Sequence, residues 1–341
     1  MYLSFYALRE LPFELTPNPR FLFTTPHHQE ALSNLQFGLS TGKPLTMLVG
    51  EAGTGKTTLL RTALQSDLCR HVKTIYINNP ALKRDEFIEL LARNFRLSSD
   101  AAHSKAAMLG ELELVLSELR RRGELIALVV DEAQALSDEL LEEIRLLANI
   151  ETDEQKLLPL VLAGQPELAN RLNQAHLRQL KQRISLRCEL QPLDLSDTAA
   201  YVATRIRAAG GEPLKLFSRE AISLIHERSR GIPRTISVIC DNTLLSGFAL
   251  GVQPVTSTIV AEVCRDFDLS DPNAQQRLRP ITQKRDGQPV KPDRTNFVVA
   301  SQRTEPSAEA ERGLVRQFVP LPLRHPGETA LTRLRSSLFG R

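Results

Sequence analysis

A chain of 341 residues that is 42% apolar is long enough for two domains and a substantial core. Its 43 Lys and Arg against 40 Asp and Glu, a net charge of +3, give the whole molecule no strong nucleic-acid signature. The longest apolar stretches run six or seven residues, which excludes a membrane span, and Cys69, Cys188, Cys240 and Cys264 are scattered without metal or redox spacing, as in a reducing cytoplasm.

Taken in chain order, residues 1–20 carry prolines and charges and lack the continuous apolar core of a secretory signal. His27 and His28 either shape the entry to a site or face solvent. Residues 45–49 are a short apolar run, and residues 58–64 read as a helix. Between them lie Gly50, Glu51, Ala52, Gly53, Thr54, Gly55, Lys56, Thr57 and Thr58, a full G-x-x-x-x-G-K-[ST] spacing. Strand, loop and helix in this order make a phosphate cradle. The glycines let successive N–H groups point inward, and the helix N-terminus adds partial positive charge. Such a loop binds a nucleoside triphosphate, with Lys56 on the β- and γ-phosphates and the Thr57 hydroxyl on Mg²⁺.

Residues 73–78 read as a second strand, and residues 86–95 and 108–120 have helical apolar spacing. Arg120, Arg121 and Arg122 close the latter helix, where cations suit the dipole. Residues 125–130 are six apolar residues ending in Asp131 and Glu132. That pattern suits a parallel strand buried on both faces, and ligands of open α/β sheets bind at carboxyl ends of strands. Asp131 is therefore placed to hold Mg²⁺ through water, and Glu132 to orient and polarise a water for attack on the γ-phosphate. Taken alone, the two acids also fit the start of a helix. The phosphate loop upstream favours the metal site.

Residues 136–150 form an amphipathic helix with Ser137 as a cap, residues 157–163 a buried strand and residues 184–190 a fifth. The alternation implies an α/β domain with a parallel sheet over residues 45–191. After Pro192, residues 198–209, 219–228, 233–248 and 256–267 read as four helices of a small second domain. From residue 270 the texture turns rich in Pro, Gln, Arg and Thr, with 13 Lys and Arg against 7 Asp and Glu. This basic tail buries too little apolar surface to offset its chain entropy and reads as largely disordered, with apolar patches at residues 313–323 and 331–339.

The order of elements resembles the AAA+ ATPases, P-loop proteins in which a five-stranded nucleotide-binding domain precedes a helical lid. More specifically it is similar to ATPases of the general secretion pathway protein A type and to those of exosortase and exopolysaccharide loci. The carrying segments begin with MYLSFYALRELPFELTPNPRFLFTTPHHQEAL at the N-terminus. GEAGTGKTTLL, VVDEAQ and LAGQPEL follow, then LRQLKQRISLR and RGIPRTISVICDNTLLSG. The resemblance implies ATP and Mg²⁺ as cofactors. It also implies an N-terminal extension over 1–40 near the nucleotide pocket, an α/β domain over 41–192, a lid over 193–268 and a tail over 269–341.

Further roles follow from the resemblance alone. Gln165 would be the polar sensor after the fourth strand, and Arg234 a lid arginine reaching the γ-phosphate. By themselves these residues also fit a turn before Pro166 and a solvated helix face. Asn78, or else Asn79, would restrain Glu132. Arg178, Arg183 and Arg187 are candidates for an arginine finger presented to a neighbouring subunit, with Arg183 favoured. A homo-oligomer is thus implied, cytoplasmic or peripheral to the inner membrane, with a protein partner there. Its ATP hydrolysis would serve assembly or regulation of a secretion, pilus or polysaccharide-export system. Relatives of this type often add a membrane span and a peptidoglycan-binding region after the lid; residues 270–341 read as neither. The alternative is a DNA-associated AAA+ ATPase of the transposition-helper or initiator type. The residues after Phe267 do not read as the winged-helix domain that initiators append, so nucleic acid is the less favoured partner. A third possibility, a nucleotide-binding scaffold with little turnover, is opposed by Glu132 and Arg234.

Overall fold

The computed structural model describes residues 2–15, 23–78, 81–153 and 155–269; Asn79 and the tail from residue 270 lie outside the described residues. A sheet of five parallel strands occupies the centre of the first half. The strands are β1 (Leu45–Gly50), β2 (Val72–Ile77), β3 (Leu125–Val130), β4 (Leu160–Gly164) and β5 (Leu186–Leu190). They lie in the order β2-β3-β4-β1-β5. Every residue of β1 and β4 is buried, which is why both read as unbroken apolar runs. Successive residues still alternate between two cores. Met47, Val49, Leu128 and Val130 face one, and Leu48, Ala127 and Val129 face the other.

Helices cover both faces: α1 (Pro26–Thr41), α2 (Lys56–Leu64), α3 (Arg84–Phe95), α4 (Lys105–Arg121), α5 (Asp138–Leu147) and the short α6 (Pro166–Arg171). Thr25 caps α1 by accepting from the His28 N–H, Pro26 is the first helical residue, and Gly42 ends the helix at φ 76°. The chain leaves β1 for the far side of the sheet and returns through β3 and β4. Register pairs Val49 with Gly164 and Val130 with Leu162, so the carboxyl ends of β1, β3 and β4 open side by side. Ligands of open α/β sheets bind in such a crevice.

Expected boundaries move by up to three residues. The strand expected over residues 157–163 begins at Leu160, because Pro159 has no N–H to give the ladder; its carbonyl instead accepts from Leu128 N at 2.9 Å. The helix expected over residues 136–150 runs Asp138–Leu147, with the Ser137 hydroxyl accepting from Leu140 N.

The lid consists of α7 (Leu195–Ala208), α8 (Arg219–Ser229), α9 (Pro233–Leu250) and α10 (Ser257–Asp266), with a short turn at Pro213–Leu216. Its core of Val202, Ile206, Ile225, Ile239 and Leu244 also takes in Tyr2, Tyr6, Leu8 and Phe13 from the other end of the chain. Burying each such side chain stabilises by about 1.5–3 kcal/mol. Polar bonds fix the same strap. Arg9 N donates to Ala209 O at 2.8 Å, and the Tyr2 hydroxyl donates to Asp241 Oδ1 at 2.5 Å. The sheet-to-lid connection is pinned where Leu193 N donates to Gly231 O at 2.9 Å. A Cβ on Gly231, whose φ is +72°, would sit 2.0 Å from Leu193 O, so only glycine fits. Among the described residues no helix is long and apolar enough to cross a membrane.

Candidate nucleotide-binding site

The loop from Gly50 to Lys56 leaves β1 and turns into α2. Gly55, at φ +99°, is the capping residue just before α2. Thr54 closes the turn, its hydroxyl donating to Glu51 O at 2.9 Å. Lys56 is only 5% exposed, and its Nζ donates to Gly50 O at 2.8 Å and Glu51 O at 3.1 Å. Burial lowers its pKa, opposed by the field of Glu132, Asp131, Glu51 and Glu167. Those carboxylates keep a cation inside the phosphate loop.

Asp131 emerges from β3 directly against this loop and is 1% exposed. Three donors converge on it. Thr57 Oγ1 donates to Oδ2 at 2.7 Å, Tyr76 OH to the same oxygen at 2.7 Å, and Glu132 N to Oδ1 at 3.0 Å. Burial, then the neighbouring Asp131 charge, pushes the Tyr76 phenol well up, so it stays a donor. Hard oxygen donors on Thr57 and Asp131 fit Mg²⁺, which takes one or two protein oxygens and completes its shell with phosphates and water. Among the described residues no group of three or more His, Cys, Asp or Glu could hold a metal ion.

Glu132 follows in a left-handed conformation, φ 54°, at a cost of order 1–3 kcal/mol for a non-glycine residue. A single 3-10 turn, Ala133–Ala135, comes next. It returns Gln134 to the carboxylate, where Gln134 Nε2 donates to Glu132 Oε2 at 2.6 Å. Glu132 is thus partnered by Gln134; of the two residues expected to restrain it, Asn78 is exposed at the end of β2 and Asn79 lies outside the described residues. The pair spans the left-handed Glu132 and the 3-10 turn that follows it.

Gln165, just past β4, is half-buried and donates its backbone N–H to Gln134 Oε1 at 3.1 Å. Arg234, at the start of α9, donates its backbone N–H to Gly53 O at 3.2 Å, and its side chain lines the cleft. A Cβ on Gly53 would lie 2.7 Å from the Arg234 Cβ, so lid and phosphate loop are in direct contact. The cleft between them, about 370 Å³, has Gly53 to Thr58 and Glu132 on one wall. Leu15, Phe23, Tyr201 and Arg205 line the other, with Pro233 and Ser237. Its volume suits a small molecule.

His28 is buried beside this cleft, whereas His27 is exposed. Its Nε2 lies 3.4 Å from Thr54 O, an acceptor, so Nε2 carries the proton. Nδ1 then accepts from the Thr25 hydroxyl at 2.8 Å. Burial lowers its pKa and favours this neutral form. Arg178, Arg183 and Arg187 are exposed, and none lines the chain's own cleft. Arg187 pairs with Glu189 at 3.4 Å on β5.

Sequence reasoning missed Tyr76 and Gln134. Tyr76 reaches Asp131 through β2–β3 pairing, where it stands opposite Val129, and no spacing in the chain announces that. For Gln134 the signal was its place in the segment VVDEAQ, two residues after the catalytic candidate.

Residues 39–172 match the family model described as an AAA domain. Over 252 residues, 74% of this chain, the sequence is 42% identical to general secretion pathway protein A of Aeromonas hydrophila, and it spans 46% of that protein's length. Among solved structures, the fold is similar to Cdc6p of Pyrobaculum aerophilum, with a TM-score of 0.56 and 20% identity over 75% of this chain and 70% of that one. It is also similar to Drosophila ORC bound to DNA, with a TM-score of 0.55 and 21% identity over 80% of this chain and 67% of that one. At these identities the two structures share the fold.

Proposed function

The chain belongs to the AAA+ ATPase family, and on that premise we propose that it is a Mg²⁺-dependent ATP hydrolase working as a homo-oligomer. Its hydrolysis drives assembly or regulation of a secretion, pilus or polysaccharide-export system, from the cytoplasm or the inner face of the inner membrane. The likeness to general secretion pathway protein A supports the choice of process.

One observation carries the chemistry. Thr57 and Asp131 hydrogen-bond at 2.7 Å at the foot of the cleft that Glu132 lines, with Lys56 in the adjoining loop. Gly50 to Thr58 wrap the phosphates with backbone N–H groups, and Lys56 neutralises the β- and γ-phosphates. Thr57 and Asp131 would hold Mg²⁺, Asp131 through water, and the ion would supply positive charge to offset that of the phosphates. Glu132 aligns a water with the γ-phosphate. Gln165 helps position that water, Arg234 reaches the γ-phosphate from the lid, and Arg183 of one subunit completes the site of the next.

The test is E132Q. It keeps ATP affinity within about twofold and loses about 10²–10⁴ in kcat, the usual contribution of a positioned base. Turnover at the wild-type rate would put the water-orienting acid elsewhere.

A further inference from the structure

We propose that Gln134 is a positioning residue for hydrolysis, a two-ended clamp that fixes the Glu132 carboxylate to the end of β4. The inference rests on Glu132 being the residue that orients water.

The two ends of a glutamine amide are not interchangeable. The Gln165 backbone N–H can only donate, and it lies 3.1 Å from Gln134 Oε1. That contact fixes the flip of the amide and aims Nε2 at Glu132 Oε2, 2.6 Å away. A reversed amide would lose both bonds at once. With Oε2 held, the other carboxylate oxygen is left for a water in the cleft that Glu132 lines.

The surroundings are built to hold this amide. A Cβ on Gly164 would lie 3.0 Å from Gln134 Oε1 and 2.9 Å from Leu168 Cδ2, so the glycine leaves room for the side chain. The Gln134 carbonyl accepts from Arg171 Nη1 at 2.9 Å, and the same nitrogen donates to Leu136 O at 2.8 Å. Arg171 Nη2 is tied to Asp138 Oδ1 at 2.5 Å. Backbone and side chain of Gln134 are thus both fixed. The clamp spans the left-handed Glu132 and the 3-10 turn that follows it.

Two substitutions separate the ends of the clamp. Q134A removes both bonds. Q134E keeps an oxygen for the Gln165 N–H but places a carboxylate against Glu132. In the nucleotide-free protein, hydrogen exchange at the Gln165 amide should quicken about tenfold in Q134A, the loss of one hydrogen bond, and stay near wild type in Q134E. Both variants should bind ATP within about twofold of wild type, yet lose about 10² in kcat, the scale of a displaced catalytic group. A merely structural glutamine predicts the opposite for Q134E, which would then turn over normally because the β4 contact survives. Wild-type turnover by Q134E, or by a folded Q134A, overturns the proposal. E132Q measured alongside separates the failures. If E132Q is inactive while Q134E is active, the clamp alone is wrong. If E132Q is active, the assignment of Glu132 is wrong.

Discussion

The two walls of the cleft differ in how far along the chain each residue finds its supports. On the sheet wall, Lys56 bonds to carbonyls five and six residues away, Thr54 to one three away, and Glu132 to Gln134 two away. On the lid wall, Arg205 Nη1 donates to Pro12 O across 193 positions, and Tyr2 reaches Asp241 across 239. Phe13 packs edge-on against Phe217, and Phe23 against Tyr201. Lys56, Thr54 and Glu132 are held by short loops, and Asp131 is tied in by Thr57 and Tyr76 across 74 and 55 positions. The wall that closes over them is held by contacts between distant parts of the chain. Changes on the sheet wall should therefore alter chemistry and spare stability, and changes under the lid should do the reverse.

The largest expected effect falls on a residue that belongs to neither wall. Arg183 is exposed and outside its own cleft. As a finger across a subunit boundary, R183A should bind ATP normally and lose about 10³ in turnover. In mixtures with wild type it should depress activity below simple dilution. Turnover per subunit that ignores both protein concentration and R183A would leave the chemistry wholly within one chain.

Next comes K56A. Losing charge-assisted bonds to phosphate should weaken ATP binding at least about 100-fold by calorimetry. The thermal midpoint should not fall, since a buried ammonium is removed. A protein that melts earlier would show that this lysine also supports the fold and would blur the contrast between the walls.

The smallest effect lies under the lid. Burial, then the bond to Asp241, pushes the Tyr2 phenol well up, so it is a donor at neutral pH. Y2F deletes one bond to a carboxylate and should cost about 1.5–3 kcal/mol in denaturant unfolding, with ATP affinity unchanged. A loss of ATP affinity exceeding the loss of stability would mean that the strap acts on the nucleotide directly.

The same contrast explains what could be read from the sequence. The phosphate loop, Asp131 and Glu132 were legible because strand, loop and helix follow one another within a few residues. The lid helices were legible from their apolar spacing. Helix α1 was not, although Thr25, Pro26 and Gly42 are good cap residues, because Ala31, Leu35 and Leu39 give it only a narrow buried stripe. Tyr76 depends on the register of a neighbouring strand, and Gln134 on a left-handed residue and a 3-10 turn. Nor could composition show that residues 2–13 belong to the lid core, since that pairing is settled by packing alone.

Two backbone bonds lie close together where the lid meets the sheet domain, Leu193 N to Gly231 O and Arg234 N to Gly53 O, and this has a mechanical consequence. For a lid swinging about them, displacement grows with distance from the fulcrum. Arg234, which makes one of the two bonds, would hardly travel and would stay near the phosphates through the stroke. The remote end of the lever would sweep the largest arc, so a small change at the nucleotide would be read out as a long movement where a partner can feel it.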